Sequence, residues 1–93
     1  MFDRILKRMR ELVRIRKYVM TVHAEDEMDS DGLTVYDVES VVLTGRITER
    51  QRDRALAEWK YLVSGQSLAG DRATVVAKIG PTGKLVFITV FKE

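Results

Sequence analysis

The chain has 93 residues, with 16 Lys and Arg against 14 Asp and Glu, for a formal net charge of +2; that length makes one domain and not two. Apolar residues at 45% and charged residues at 32% are the proportions of a globular protein and not of a disordered tail. The lack of cysteine excludes disulfides, thiol catalysis and cysteine-held metals, and the short apolar runs exclude a membrane span or secretory core, so a soluble cytoplasmic protein is expected.

The spacing of Phe2, Ile5, Leu6, Met9, Leu12 and Val13 predicts an amphipathic helix over 2–16. Residues 1–17 carry seven bases and two acids, a balance of +5. Three readings are open for this helix: one packed on a sheet with a solvated basic back, one facing nucleic acid, or one on a membrane surface. Asp3, Glu11 and the absence of serine argue against a targeting peptide.

Residues 18–22 form a short extended candidate, and 23–30 a short helix closed by Asp31-Gly32. Thr34 reads as an N-cap with Asp37 in the capping-box position, followed by an apolar stripe of Val35, Val38, Val41, Val42 and Leu43 and by Gly45 at the C′ position. Residues 24–41 hold seven acids and no base, a balance of −7. The rest of the chain, with all 16 bases and the other seven acids, carries +9. A bipolar surface is therefore expected.

From Gly45 the periodicity becomes that of strands: a charged edge strand over 46–52, an alternating strand over 58–64, and apolar strands over 73–79 and 85–91. Gly80-Pro81-Thr82-Gly83 joins the last two as a hairpin. The expected class is α+β, with amino-terminal helices packed on one face of a four-stranded antiparallel sheet. Residues 1–93 read as a single domain, a basic amphipathic helix over 1–17 followed by an α+β core over 18–93.

Phosphate-loop, dinucleotide and nucleophile-elbow motifs are absent. His23, Glu27 and Asp31 recur every four residues, as metal ligands on one helix face could, but Gly32 ends the helix there. For His23, a capping role and a phosphate-facing role both remain open, and neither a metal nor another cofactor is expected. Arg46, Arg50 and Arg52 share one strand face by the two-residue period, and Lys60, Lys78 and Lys92 come from the other three strands. Lys92 has the parity of Val86, Ile88 and Val90, so its stem is expected to leave a buried face and present its amine at a rim. Arg and Lys from several strands make either a phosphate platform or a solvated sheet face. Tyr61, in line with Trp59 and Val63, reads as core or as a proton donor.

Thr21-Val22-His23-Ala24, Met28, Gly32, Asp37-Val38 and the run Val42 to Ile47 precede Trp59 to Val63 with Gly65, and then the run Gly83 to Phe91. In that order they resemble the small bacterial family DUF4258, over roughly three-quarters of the chain. The resemblance implies a fold similar to RelE-type toxins. It also implies a toxin–antitoxin setting in which the partner is a zinc-finger or helix-turn-helix antitoxin. Trp59-Lys60, Val63 to Gln66 and Phe91-Lys92-Glu93 look like the motility quorum-sensing regulator toxin, an mRNA interferase with a terminal Lys at the place of Lys92. Glu27 and Asp31 stand where the wider family usually carries arginines.

The implied function is metal-independent RNA cleavage. The catalytic candidates are Lys60, Tyr61, Lys92 and His23, and the phosphate-binding candidates are Arg46, Arg50, Arg52 and Lys78. The alternative is a non-catalytic regulatory or protein-interaction module on the same scaffold. Its acidic helices would dock a basic partner such as the amino-terminal helix of a second copy, giving a homodimer. No membrane partner is expected.

Overall fold

The computed structural model describes residues 1–93 except Arg54 and Leu56. Helix α1 spans Asp3–Arg14 and buries Met9, Leu12 and Val13, the inner part of the predicted stripe. Lys17 N–H donates to Leu12 O at 2.8 Å and Arg16 N–H to Val13 O at 3.0 Å. This is a Schellman ending in which Arg16, at φ 56°, holds the left-handed position that glycine usually takes. Helix α2, Val22–Asp31, ends in the same way on Gly32 at φ 68° and begins on Thr21, whose side chain accepts from Ala24 N–H.

Helix α3, Val35–Thr44, starts with the predicted capping box. Asp37 Oδ2 accepts from Thr34 N–H at 2.8 Å and Oδ1 from Leu68 N–H at 3.0 Å. The Thr34 bond in particular holds the Asp37 carboxyl below the usual carboxylate range. Val38, Val41 and Val42 are buried, but Leu43 is 39% exposed, outside the stripe expected to contain it.

The sheet corrects the expectation of four antiparallel strands. Among the described residues it has five, ordered β1-β5-β4-β3-β2, and it is mixed. The strands are β1 (Tyr18–Met20), β2 (Arg46–Asp53), β3 (Glu58–Gln66), β4 (Arg72–Ile79) and β5 (Leu85–Lys92). The addition is β1, which pairs parallel to β5 with Tyr18 opposite Leu85 and Met20 opposite Phe87. The strand lies in the segment 18–22 expected to be extended, but its place in the sheet was not legible, because a parallel neighbour fixed through the rest of the domain leaves no local turn signal. No helix among the described residues is long and apolar enough to cross a membrane.

One face of the sheet meets the helices. Val63, Val75, Ala77, Leu85, Phe87 and Val90 pack there against Met9, Leu12, Met28, Val38, Val41 and Val42, all buried. Gly45 follows α3 in an extended conformation (φ −95°, ψ −170°) and not in the left-handed one its position suggested. Its smallness serves a close approach: a Cβ on Gly45 would lie 2.4 Å from Ser64 O, and one on Gly65 would lie 2.2 Å from Val41 O. Arg10 reaches from α1 to the end of α3, donating to Val42 O at 3.1 Å and Gly45 O at 2.7 Å. A cation therefore meets the negative end of that helix.

Two bulges decide which face each strand residue occupies. Directly paired residues share a face. In β2 the register shifts between Ile47 and Glu49. Arg46 therefore pairs with Ser64, whereas Arg50 pairs with Tyr61 and Arg52 with Trp59. Tyr61 pairs with Ala77 and belongs to the helix-covered face; Ser64 pairs with Thr74 on the other. Arg46 thus lies on the opposite face from Arg50 and Arg52, contrary to the simple two-residue period. In β5 the shift opposite Val76/Ala77 places Phe87 and Val90 on one face and Val86 on the other. Lys92, opposite Ala73, leaves the buried face with Val90 but not with Val86.

Candidate functional site

The predicted residues separate into three places. The first is a cleft of about 520 Å³ between the start of α1, β2 and β3, lined by Met1, Phe2, Arg4, Ile5, Arg8, Arg50 and Tyr61. Arg4 and Arg8 are four apart and so project from one side of α1. Tyr61 meets Phe2 edge to face with ring centres 6.0 Å apart. Beside this cleft the Arg50 guanidinium sits 3.9 Å from the centre of the Trp59 ring and that of Arg52 at 5.0 Å. Both contacts agree with the bulged register.

The second place lies between α2 and the end of β5, lined by His23, Asp26, Glu27, Ser30, Asp31, Phe91 and Lys92. His23 Nε2 is 3.2 Å from Glu27 Oε1. Glu27 Oε1 also accepts from Val90 N–H at 3.0 Å, and Asp31 Oδ2 accepts from Lys92 N–H at 3.0 Å. The Lys92 ammonium turns to Asp71, 3.6 Å away. Both carboxylates are thus engaged by the strand, and among the described residues no group of three His, Asp or Glu is arranged to hold a metal ion.

The third place is the opposite sheet face, with Lys60, Lys78 and Arg46. Lys78 Nζ pairs with Glu58 Oε2 at 2.7 Å, with only 17% of the lysine side chain exposed. Arg46 lies with Arg72 and Ser64 around a polar recess floored by Gly45 and Gly65. The four catalytic candidates therefore do not converge. His23 and Lys92 share one cleft, Tyr61 lines another, and Lys60 faces away from both.

The acidic block has structural work. β1 covers only Leu85 to Phe87 of β5, which leaves the outer edge of its second half unpaired by any strand of the described residues. Helix α2 fills that gap. Thr21 Oγ1 donates to Ile88 O at 3.1 Å, and Glu27 and Asp31 take the two amides further along. Four helix residues rise about 6 Å and two strand residues about 6.7 Å, so the spacings match. Glu39 accepts from the Tyr18 hydroxyl. Burial first, and then this carboxylate, push the Tyr18 phenol up to about 12. The edge that α2 closes is at the far side of the sheet from β2, so the acids stand away from the Arg4–Arg8–Arg50 cleft.

Arg4, Arg8 and Trp59 are the residues that sequence reasoning left out of the site. The four-residue spacing of the two arginines was a usable signal, whereas the partnership of Trp59 with Arg50 depends on the bulge. Neither a curated protein nor a solved structure matches the chain. One family model does, over residues 20–92, which leaves α1 and the start of β1 outside the match. The chain belongs to the family described as a domain of unknown function, DUF4258.

Proposed function

We propose that this protein binds RNA in the cleft between α1, β2 and β3 and cleaves it without a metal, in the manner of RelE-type toxins. The observation that carries the reading is the convergence of Arg4, Arg8 and Arg50 beside Tyr61, with the acidic helix at the other edge of the sheet. Phosphate oxygens favour arginine forks. Cleavage by the neighbouring 2′-hydroxyl requires stabilisation of charge growing on the phosphorane and a proton for the departing 5′-oxygen. The guanidinium groups supply the first and the Tyr61 hydroxyl the second, while the proton leaving the 2′-hydroxyl passes to solvent water, from which the Tyr61 oxygen is reprotonated.

Induced expression with primer-extension mapping of cellular RNA tests this. The expected result is growth arrest with new RNA 5′ ends, both relieved by Tyr61→Phe or Arg50→Ala in protein that still folds. Lys92→Ala is expected to leave cleavage intact; if it alone abolishes cleavage, the reacting centre belongs to the α2–β5 cleft instead. A well-folded wild-type protein that produces no new ends overturns the cleavage reading. The separation of His23 and Lys92 from Tyr61 and Lys60 favours a second reading, a non-catalytic interaction module on the same scaffold, with an antitoxin-like protein or a second copy as its partner.

A further inference from the structure

Next to the arginine cleft, and sharing Ile5 and Tyr61 with it, is an aromatic slot lined by Ile5, Ala57, Glu58, Trp59, Tyr61 and Ile79. Trp59 and Tyr61 stand two residues apart on one strand, so both rings rise from the helix-covered face. Trp59 is 38% exposed although it is the largest side chain on that face. Arg50 and Arg52 stack on Trp59 from the β2 side and do not line the slot, so they orient the indole and leave the slot clear. The volume, about 310 Å³, is at the small end of ligand pockets, which run from about 300 to 1,000 Å³. A flat ring system therefore fits and a large ligand does not.

We infer that the slot takes one unpaired nucleobase of a single-stranded RNA, stacked on Trp59, while the flanking phosphates lie on Arg50 and on Arg4 and Arg8. This inference rests on the RNA reading and narrows it to a substrate class. A base held in a duplex cannot enter a slot of this size beside the cleft, whereas an unstacked base can be splayed onto an aromatic ring beside a track of cations. Helix α1, outside the family match, then supplies two of the three arginines of the phosphate track and, through Ile5, one wall of the base site.

Because Trp59 is the only tryptophan in the chain, its fluorescence reports occupancy of the slot directly. The test titrates the full-length protein with a single-stranded RNA, with the same strand annealed to its complement, and with an oligonucleotide of equal length whose central sugars lack bases. Anisotropy gives affinity in each case and Trp59 emission gives stacking. The expected result is quenching by the single strand alone, with affinity at least about tenfold above that for the duplex, in line with the contribution of a stacked base. The abasic strand should bind weakly without quenching. Trp59→Leu should bring the single strand to the affinity of the abasic one, and Trp59→Phe, which keeps a stacking ring, should retain most of it. Equal affinity for single strand and duplex with unchanged emission overturns the base slot while leaving the RNA reading intact. Absence of binding to any of the three overturns both.

Discussion

If Glu27 and Asp31 serve to close the edge of β5, removing the Glu27 carboxylate should destabilise the fold more than its surface position on a charged helix suggests. A hydrogen bond to a charged acceptor contributes about 1.5–3 kcal/mol. Val90 is fully buried and the Glu27 side chain is 26% exposed, so its amide has little access to replacement water. Glu27→Ala is expected to cost about 2 kcal/mol, which for a domain of this size lowers Tm by roughly 8–15 °C. The Lys92 amide is exposed, and Asp31→Ala is expected to cost about 1 kcal/mol. Glu27→Gln keeps an acceptor and should lose less than half as much as Glu27→Ala. Thermal melts at pH 7 measure the stability, and amide exchange read by NMR locates it: the Val90 amide should lose protection first in Glu27→Ala. A Glu27→Ala protein melting within about 2 °C of wild type, with Val90 still protected, would refute the edge-closing role. It would return these acids to the status of a charged surface.

Three further outcomes follow from the same geometry. Gly65→Ala places a methyl 2.2 Å from Val41 O, forcing α3 off β3, and should lower stability by about 1–3 kcal/mol in a denaturant titration. Arg16→Gly relieves a left-handed arginine, whose cost of about 1–2 kcal/mol exceeds the chain entropy of glycine, and should raise stability by about 0.5–1 kcal/mol. The folded Tyr18 phenol titrates near 12 against 10.0 ordinarily. Between those values the unfolded chain sheds a proton that the fold retains, and stability falls as pH rises. Tyr18→Phe should flatten that fall, seen by comparing urea midpoints at pH 9 and 11.

How much of this was legible in the residues depended on how local the cause was. The Thr34–Asp37 box, the Asp31-Gly32 stop and the Gly80–Gly83 turn are written within a few residues, and each appears where the sequence placed it. The acids of α2 were countable, and they close the β5 edge, at the far side of the sheet from the arginines of β2. Less local causes were missed. The third residue of β2, Thr48, is an extra one in the ladder. No composition rule marks it, yet it moves Arg50 and Arg52 onto the face of Trp59 and leaves Arg46 behind. The parallel partner of β5 is nearly seventy positions earlier in the chain. The acids of α2 looked like a docking surface because the strand amides they satisfy are about sixty residues away. Gly45 and Gly65 each looked like an ordinary small residue until α3 and β3 were seen to meet across them.

The central claim is that RNA phosphates meet Arg4, Arg8 and Arg50. The most direct measurement is the salt dependence of affinity for a single-stranded RNA, in wild type and in the triple variant Arg4→Ala/Arg8→Ala/Arg50→Ala. Each phosphate neutralised on a single strand contributes about −0.7 to the slope of log affinity against log salt. Three such contacts therefore put the wild-type slope about 2 units steeper than that of the triple variant. The predicted result is that difference, with the folded variant binding far more weakly at low salt. Equal slopes and affinities for the two proteins would contradict the account and remove the cleft from RNA binding.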